Sequence, residues 1–179
     1  MSTTATPPTP KTRPIPTPKQ QFVDAFEQEH AKTMRVLRAY PTDKSELQPH
    51  AKCKTARELA WMFVLEQGTA EKALTTGFDW STPPNFPPAP GSYEAVLGAL
   101  EQGHKRVGEL LRGASEDELF ETVKFFSGPK TIVDMPKMQF LWTMLSDQIH
   151  HRGQFTIYLR MADGKVPSVY GPSLDEPWF

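Results

Sequence analysis

Apolar residues recur every three or four positions along most of the chain after Lys19, which is the period of a helix with one buried face. The face of the first predicted helix consists of Phe22, Phe26, Thr33, Val36 and Tyr40. In "HAKCKTARELAWMFVLEQGTAEKALTT" the same period predicts a second helix that ends near Gly77, with a face made of Ala51, Thr55, Met62, Leu65 and Thr69. The segment "DWSTPPNFPPAPGS" then ends the helical pattern because it contains five prolines.

Two further helices follow this break. Ser92 can cap the third, whose face consists of Tyr93, Leu97, Leu100, Val107 and Leu111. A capping-box pattern from Ser115 to Glu118 and a β-rich stretch around a Gly-Pro pair predict a short helical turn and an extended excursion. Pro136 then starts a fourth helix that runs to about Ala162. The pattern predicts an all-α four-helix bundle with a short non-helical excursion between helices 3 and 4.

The length of 179 residues fits one domain, which we place at residues 19–179. Residues 1–18 form a Pro/Thr-rich arm that we expect to be flexible, since it has almost nothing to bury. This arm lacks the apolar core of a signal peptide. Its basic, Thr-rich character fits a transit peptide, but its prolines would prevent the amphipathic helix that such peptides need.

Charge and cysteine content narrow the class of protein. The formal net charge of −1 argues against a nucleic-acid-binding protein, because such proteins usually carry an excess of Lys and Arg on one face. No apolar run approaches the roughly 20 residues that cross a bilayer, so we expect no membrane association. The single cysteine, Cys53, excludes an internal disulfide framework and suits a reducing compartment. We therefore expect a cytoplasmic protein.

Polar residues interrupt the apolar faces in the middle of the predicted helices. In helix 4 the stripe contains Asp147 and His151, which lie one turn apart on the same side. Glu58 lies in the middle of the apolar face of helix 2, and His104 lies in the middle of that of helix 3. Glu29 lies nearer the edge of the helix 1 stripe. Because buried charges are costly without a partner, these residues predict a divalent metal site in the bundle core.

A site without metal explains the same residues in another way. A lone core histidine such as His104 is more often a structural residue than a ligand. Asp147 and His151 can form a buried hydrogen-bonded pair, joined by Glu58, and such pairs persist without metal. Arg152 is best explained as the structural partner of a carboxylate.

The C-terminal part, "SDQIHHRGQFTIYLRMADGKVPSVYG", resembles the end of the DinB/YfiT-like family of small metalloenzymes. The matching residues are His151-Arg152-Gly153-Gln154, Tyr158 and the segment Gly164-Lys165-Val166-Pro167. The resemblance extends from helix 1 to the C-terminus. It implies a four-helix bundle with a divalent metal bound by side chains of helices 2 and 4.

The chain departs from the family at two ligand positions, where histidine is usual and this sequence has Asp147 and Glu58. The resemblance implies a metal site of Glu58, Asp147 and His151, which is harder and more negative than three histidines. Such a site can hold zinc, iron, manganese or nickel, and its carboxylates favour iron, manganese or zinc. The identity of the metal is left open, and the loss of metal altogether is an alternative.

The resemblance implies an enzyme that uses its metal to activate a thiol or water, as a thiol S-transferase or a hydrolase. In this hypothesis the substrate is a small molecule such as a thiol. Tyr158 or His104 assists proton transfer. Cys53 is a poor nucleophile candidate because no base lies at helical spacing from it.

The alternative hypothesis is a non-catalytic dimeric bundle whose polar core is structural or binds a small ligand. Helix 4 has a second apolar side that fits either a central bundle position or a homodimer interface, and we expect a homodimer. This second side consists of Met138, Leu141, Trp142, Leu145 and Ile149.

Overall fold

The computed structural model describes residues 15–179, and four long helices form most of it. The helices are α1 (Pro18–Arg38), α2 (Ala56–Leu74), α3 (Tyr93–Gly113), the short α4 (Glu116–Phe120) and α5 (Lys137–Met161). A hairpin of β1 (Thr122–Gly128) and β2 (Thr131–Pro136) lies between α4 and α5. The predicted bundle with its excursion is confirmed. The expectation for residues 1–14 of the arm lies outside the described residues.

Side-chain caps set where the helices begin. Ser92 accepts a hydrogen bond from the backbone amide of Ala95, as its place before α3 predicts. Thr55 and Ser115 each start a helix with a complete capping box. The prediction that helix 2 already includes Ala51 is therefore wrong, because α2 begins only after the Thr55 cap.

The interior of the bundle consists of two apolar clusters. One surrounds the end of α1, the beginnings of α2 and α3, and the end of α5, and includes Leu37, Phe63 and Phe155. The other surrounds the opposite ends of these helices and includes Phe22 and Phe140. Between the two clusters lies a band of buried or half-buried polar side chains, here called the polar belt: Glu29, Thr33, Glu66, Gln67, His104, Asp147, Gln148, His151 and Arg152.

The two clusters also give the directions of the helices. Because α2 and α3 both begin in the cluster of Phe63, they run parallel, whereas α1 and α5 run the opposite way. The connection from α2 to α3, residues 75–92, therefore returns along the bundle. Each long helix packs against two others, with α2 between α3 and α5, and α1 between α5 and α3.

The non-helical excursion closes one end of the bundle. Its strands pair in antiparallel register, with Val123 opposite Met135 and Phe125 opposite Val133. Val123 and Met135 are buried in the same cluster as Phe140 of α5. The hairpin therefore covers the end of the bundle at which α5 begins.

The second apolar side of α5 packs mainly against other parts of the same chain. Met138, Leu141 and Leu145 are buried in the cluster of Phe140, whereas Trp142 is 40% exposed. Since this side packs within the bundle, it carries no argument for a second subunit, and the homodimer stays a prediction. Among residues 15–179, the helices are all too short or too polar to span a membrane.

Candidate metal centre

One buried carboxylate from α2 and two side chains from α5 converge in the polar belt. Glu66, Asp147 and His151 each place one potential ligand atom within 4.8 Å of those of the other two. Asp147 and His151 reach the same point because residues four apart lie on the same side of a helix. Glu66 meets them because α2 packs against α5.

Glu66 is the most buried of the three, with 5% of its surface exposed. Its Oε1 lies 2.6 Å from Nδ1 of His151, whereas its Oε2 is buried and has no hydrogen-bond partner among the described residues. Burial raises the pKa of the Glu66 carboxyl to about 7, although the contact with His151 opposes this shift. Asp147 adds to the increase through its negative charge.

The pKa of His151 is raised as well. Its hydrogen bond to Glu66 and the negative charges of Glu66 and Asp147 raise the pKa of the imidazole, while burial and the charge of Lys54 act against this. Glu66 and His151 both gain proton affinity, so the pair holds a proton up to about neutral pH.

The donor set fits a divalent cation. Two carboxylates and one imidazole supply the oxygen and nitrogen ligands that zinc, iron and manganese accept. A buried oxygen without a hydrogen bond costs about 1–3 kcal/mol, and more when the group is charged. A cation bound at Oε2 of Glu66 would remove this cost. The unpartnered oxygen of Glu66 and the types of ligand atom therefore both favour a divalent cation at this position.

The expectation that Glu58 faces the interior is wrong. Glu58 is exposed, and its Oε2 accepts a hydrogen bond from the Thr55 backbone amide at 2.8 Å. It is the third residue of α2 and completes the capping box, so its charge is used at the helix end. The structure brings Glu66 rather than Glu58 to Asp147 and His151.

The difference arises from the side of α2 that is buried. The prediction followed the stripe of Met62 and Leu65, which are half-buried, whereas Phe63 and Ala70 are buried on the same side as Glu66. The Thr55-x-x-Glu58 pattern contains the missing signal, because it is the sequence signature of a capping box. It excludes Glu58 from the core and moves the search to the next acidic residue of the helix, Glu66.

His104 belongs to a different cluster of the polar belt and is not part of the group of three. Its Nε2 lies 2.8 Å from Oε2 of Glu27, and its ring stacks on His30 at a centroid distance of 3.6 Å. Burial lowers the pKa of the His104 imidazole, although Glu27 opposes this. These contacts hold the ring away from the group of three, and its buried Nδ1 has no hydrogen-bond partner among the described residues. The role of His104 in proton transfer stays a prediction.

Tyr158 is buried in the apolar cluster of Phe155, and its hydroxyl donates a hydrogen bond to the Lys54 carbonyl at 2.9 Å. Burial raises the pKa of this hydroxyl. Its proton is therefore engaged in a contact between α5 and the segment before α2. The assignment of Tyr158 as a proton donor stays a prediction.

Arg152 has the structural role that the sequence indicates. It is 2% exposed, and its guanidinium donates to Oε2 of Glu29 at 2.5 Å and to Oγ1 of Thr33 at 3.1 Å. Tyr170 of the C-terminal segment also contacts this pair. The expectation that Glu29 lies at the edge is wrong, since Glu29 is only 9% exposed. The pair holds α5 against α1 one residue after His151.

Comparisons with known proteins agree with this architecture. The DinB family profile matches residues 1–178. The uncharacterized protein YrdA of Bacillus subtilis (strain 168) is 24% identical over 155 residues, which cover 87% of this chain and 89% of YrdA.

Two crystal structures share the fold. A DinB-like protein from Bacillus cereus ATCC 10987 has a TM-score of 0.67 and 24% identity, and the match covers 83% of this chain and 95% of that protein. The DinB-like protein YjoA from Bacillus subtilis has a TM-score of 0.64 and 14% identity, with 89% and 99% of the two chains covered. With its bundle, its convergent acidic and histidine side chains and a family match over nearly its whole length, the chain belongs to the DinB family.

Proposed function

We propose that this protein is a metal-dependent enzyme whose divalent ion is held by Glu66, Asp147 and His151. The observation that carries the proposal is Oε2 of Glu66, a buried carboxylate oxygen without a partner among the described residues, in the side chain that meets Asp147 and His151. A metal bound there would supply Lewis acidity and lower the pKa of a coordinated thiol or water. The reaction classes that we propose are thiol S-transfer and hydrolysis.

The surrounding residues hold the site in a defined place. Glu66 comes from α2 and the other two ligands from α5, so the packing of two helices fixes the distance between the ligands. Arg152 and Glu29 anchor α5 to α1 beside His151, which limits rotation of the helix that carries two ligands. A site supported by packed helices in this way is more precise than one built on loops.

The proposal predicts that Glu66 and not Glu58 is needed for metal binding. Protein purified without chelator should carry close to one divalent metal per chain, and Glu66→Gln should lower the affinity by about a hundredfold or more, because a ligand is lost. Glu58→Gln is the matched control and should retain the metal, since Glu58 caps α2. Elemental analysis and calorimetric titration give both quantities.

The opposite outcomes have a clear meaning. If neither elemental analysis nor thermal stabilisation by zinc, manganese, iron or nickel reveals metal, Glu66 and His151 form a structural pair and the enzyme proposal fails. Retention of metal in Glu66→Gln with loss in Glu58→Gln would show that the ligand set is wrong. Turnover in any hydrolysis or thiol-transfer assay must also disappear when the metal is removed.

A further inference from the structure

A surface groove lies beside the first half of α2. Its volume is about 380 Å³, and it is largely open to solvent. One side is formed by the segment before α2 and by α2 itself, and the other by the proline-rich connection to α3. The lining residues are Lys52, Cys53, Lys54, Glu58, Trp61, Met62, Leu65, Pro87, Pro88 and Ala89.

The proline-rich wall of this groove is fixed to α2. Trp61 donates its indole N–H to the Pro87 carbonyl at 2.8 Å, and Arg57 donates to the Pro90 carbonyl at 2.8 Å. Prolines in this wall have restricted backbone angles, which limits the entropy lost when a ligand binds against it. These contacts therefore fix the position of the wall relative to α2.

The charges in the groove favour an anion. Lys52 and Lys54 line it, and neither ammonium group forms an ion pair with another residue in the described part of the chain. Glu58 is the acidic side chain of the lining, and its carboxylate is engaged by the Thr55 amide. Trp61, Met62 and Leu65 add an apolar surface that is half-buried.

The groove adjoins the helices that carry the candidate metal ligands. Met62 and Leu65 lie within about one turn before Glu66, on the half-buried side of α2 next to the buried side that carries Glu66. The Lys54 carbonyl is bound by Tyr158, which lies two turns after His151 on α5.

We propose that this groove binds a small molecule that combines an anionic group with an apolar body. Lys52 and Lys54 bind the anion, the side chains of Trp61, Met62 and Leu65 contact the apolar body, and the bound molecule extends toward the metal centre. This last part rests on the proposed function, whereas the binding of the anion does not.

The test uses 4-phenylbutyrate as the probe and the full-length protein, both unmodified and as Glu66→Gln, in which the metal centre is disabled. We expect saturable binding of 4-phenylbutyrate to both proteins by calorimetry. The cationic analogue 4-phenylbutylamine and the shorter anion butyrate should each bind about tenfold more weakly, because one reverses the charge and the other lacks the ring. Absence of saturable binding, or equal affinity for the amine, would overturn the proposal.

Variants locate the anion. The double substitution Lys52→Met and Lys54→Met removes both charges but keeps most of the side-chain length, and it should weaken 4-phenylbutyrate binding about five- to tenfold. Lys105→Met is the matched control, because Lys105 is an exposed lysine on α3 outside the groove. Circular dichroism verifies that both variants are folded. Equal affinities in the double variant and the control contradict the assignment.

A paramagnetic ion separates this inference from the proposed function. Protein loaded with Mn²⁺ should broaden the proton signals of bound 4-phenylbutyrate, and Glu66→Gln in the presence of the same Mn²⁺ should not. If the protein holds Mn²⁺ but the probe signals stay sharp, the groove does not serve the metal centre. Where the protein binds iron or nickel rather than Mn²⁺, that paramagnetic ion replaces Mn²⁺ in this experiment. If the protein binds none of zinc, manganese, iron or nickel, the proposed function fails, while the lysine-dependent binding of the anion is measured independently.

Discussion

The Glu66–His151 pair has raised proton affinity, so a metal ion bound there as proposed would have to displace a proton. Burial raises the pKa of Glu66 to about 7, and the contact with Glu66 raises the pKa of His151. A metal needs the carboxylate ionised and the imidazole neutral, so protons compete with it at this site. The burial and the Glu66–His151 contact that stabilise the protonated pair therefore lower its affinity for a metal below neutral pH.

Metal affinity should consequently increase with pH. We expect an increase of at least about tenfold per pH unit below pH 7 and a plateau well above it, because Glu66 and His151 both gain proton affinity and at least one proton is released for each ion bound. Calorimetry in buffers with different ionisation enthalpies measures this proton release directly. An affinity that does not change from about pH 5.5 to 8.5 would show that the pair is not protonated in the metal-free protein.

The sequence predicts which residues lie together in the candidate site where their spacing on one helix is sufficient. Asp147 and His151 are four residues apart on a long helix, and this spacing already brings them together. Glu66 could not be found in this way, because α2 is apolar on more than one side and the stripe of Met62 and Leu65 competes with the buried one. Glu29 was also missed, since its burial depends on Arg152, a partner 123 residues away.

At the scale of elements, the end of α5 depends on a close approach of the backbone. The Gly164 amide donates to the Leu159 carbonyl at 2.9 Å, and Asp163 before it has a φ of 59°. These are the features of a Schellman motif. A Cβ at Gly164 would lie 2.2 Å from Cδ1 of Leu159, whose side chain is fully buried.

Gly164→Ala should therefore destabilise the protein by about 1–3 kcal/mol, the usual cost of forcing extra atoms into a packed core. Gly153→Ala is the matched control within α5. Gly153 is exposed, and a Cβ there would meet no atom within 4 Å, so alanine should stabilise the helix by up to about 1 kcal/mol. Urea unfolding measures both changes, and equal effects of the two substitutions would contradict this account.

Most element boundaries were predictable because their signals are local. Ser92, Ser115 and Pro136 each mark a boundary within one or two residues of its place in the structure. The start of α2 differs from the prediction, because the apolar period of the sequence extends back to Ala51 whereas residues 50–54 form turns and irregular structure. The capping box at Thr55 is the stronger local signal.

At the scale of the whole molecule, the polar belt separates two apolar interiors. Leu100 and Leu111 lie on the same helix, α3, but each is buried in a different cluster. Contacts within a cluster couple its members energetically, whereas residues without shared partners act independently. Substitutions in different clusters should therefore change the free energy of unfolding independently of each other.

Leu100→Val and Leu111→Val should each cost up to about 1.5 kcal/mol, and the double variant should show the sum within about 0.5 kcal/mol. Val107→Ala combined with Leu111→Val is the matched comparison, since both residues belong to the cluster of Phe140 and lie one turn apart. This pair should deviate from additivity by more than about 0.5 kcal/mol. Chemical unfolding of the six proteins, including the unmodified one, completes both cycles.

The parallel direction of α2 and α3 could not be predicted from the sequence. The apolar period shows which side of a helix is buried but not which way the helix runs, and the connection of residues 75–92 is long enough for either direction. Trp80 bonds the Lys124 carbonyl at one end of the bundle, and the Pro87 carbonyl is bound by Trp61 at the other. Tertiary contacts such as these, and not the apolar period, define the path.

That returning connection has an evolutionary consequence. Its prolines contact α2 through two side chains, Arg57 and Trp61, and contribute no residue to the group of Glu66, Asp147 and His151. Substitutions and length changes in residues 82–90 can therefore reshape the groove without moving the helices. On the proposed role of the groove, a bundle of this design would acquire a new ligand specificity by altering one surface segment, while the residues proposed to hold its metal are inherited unchanged.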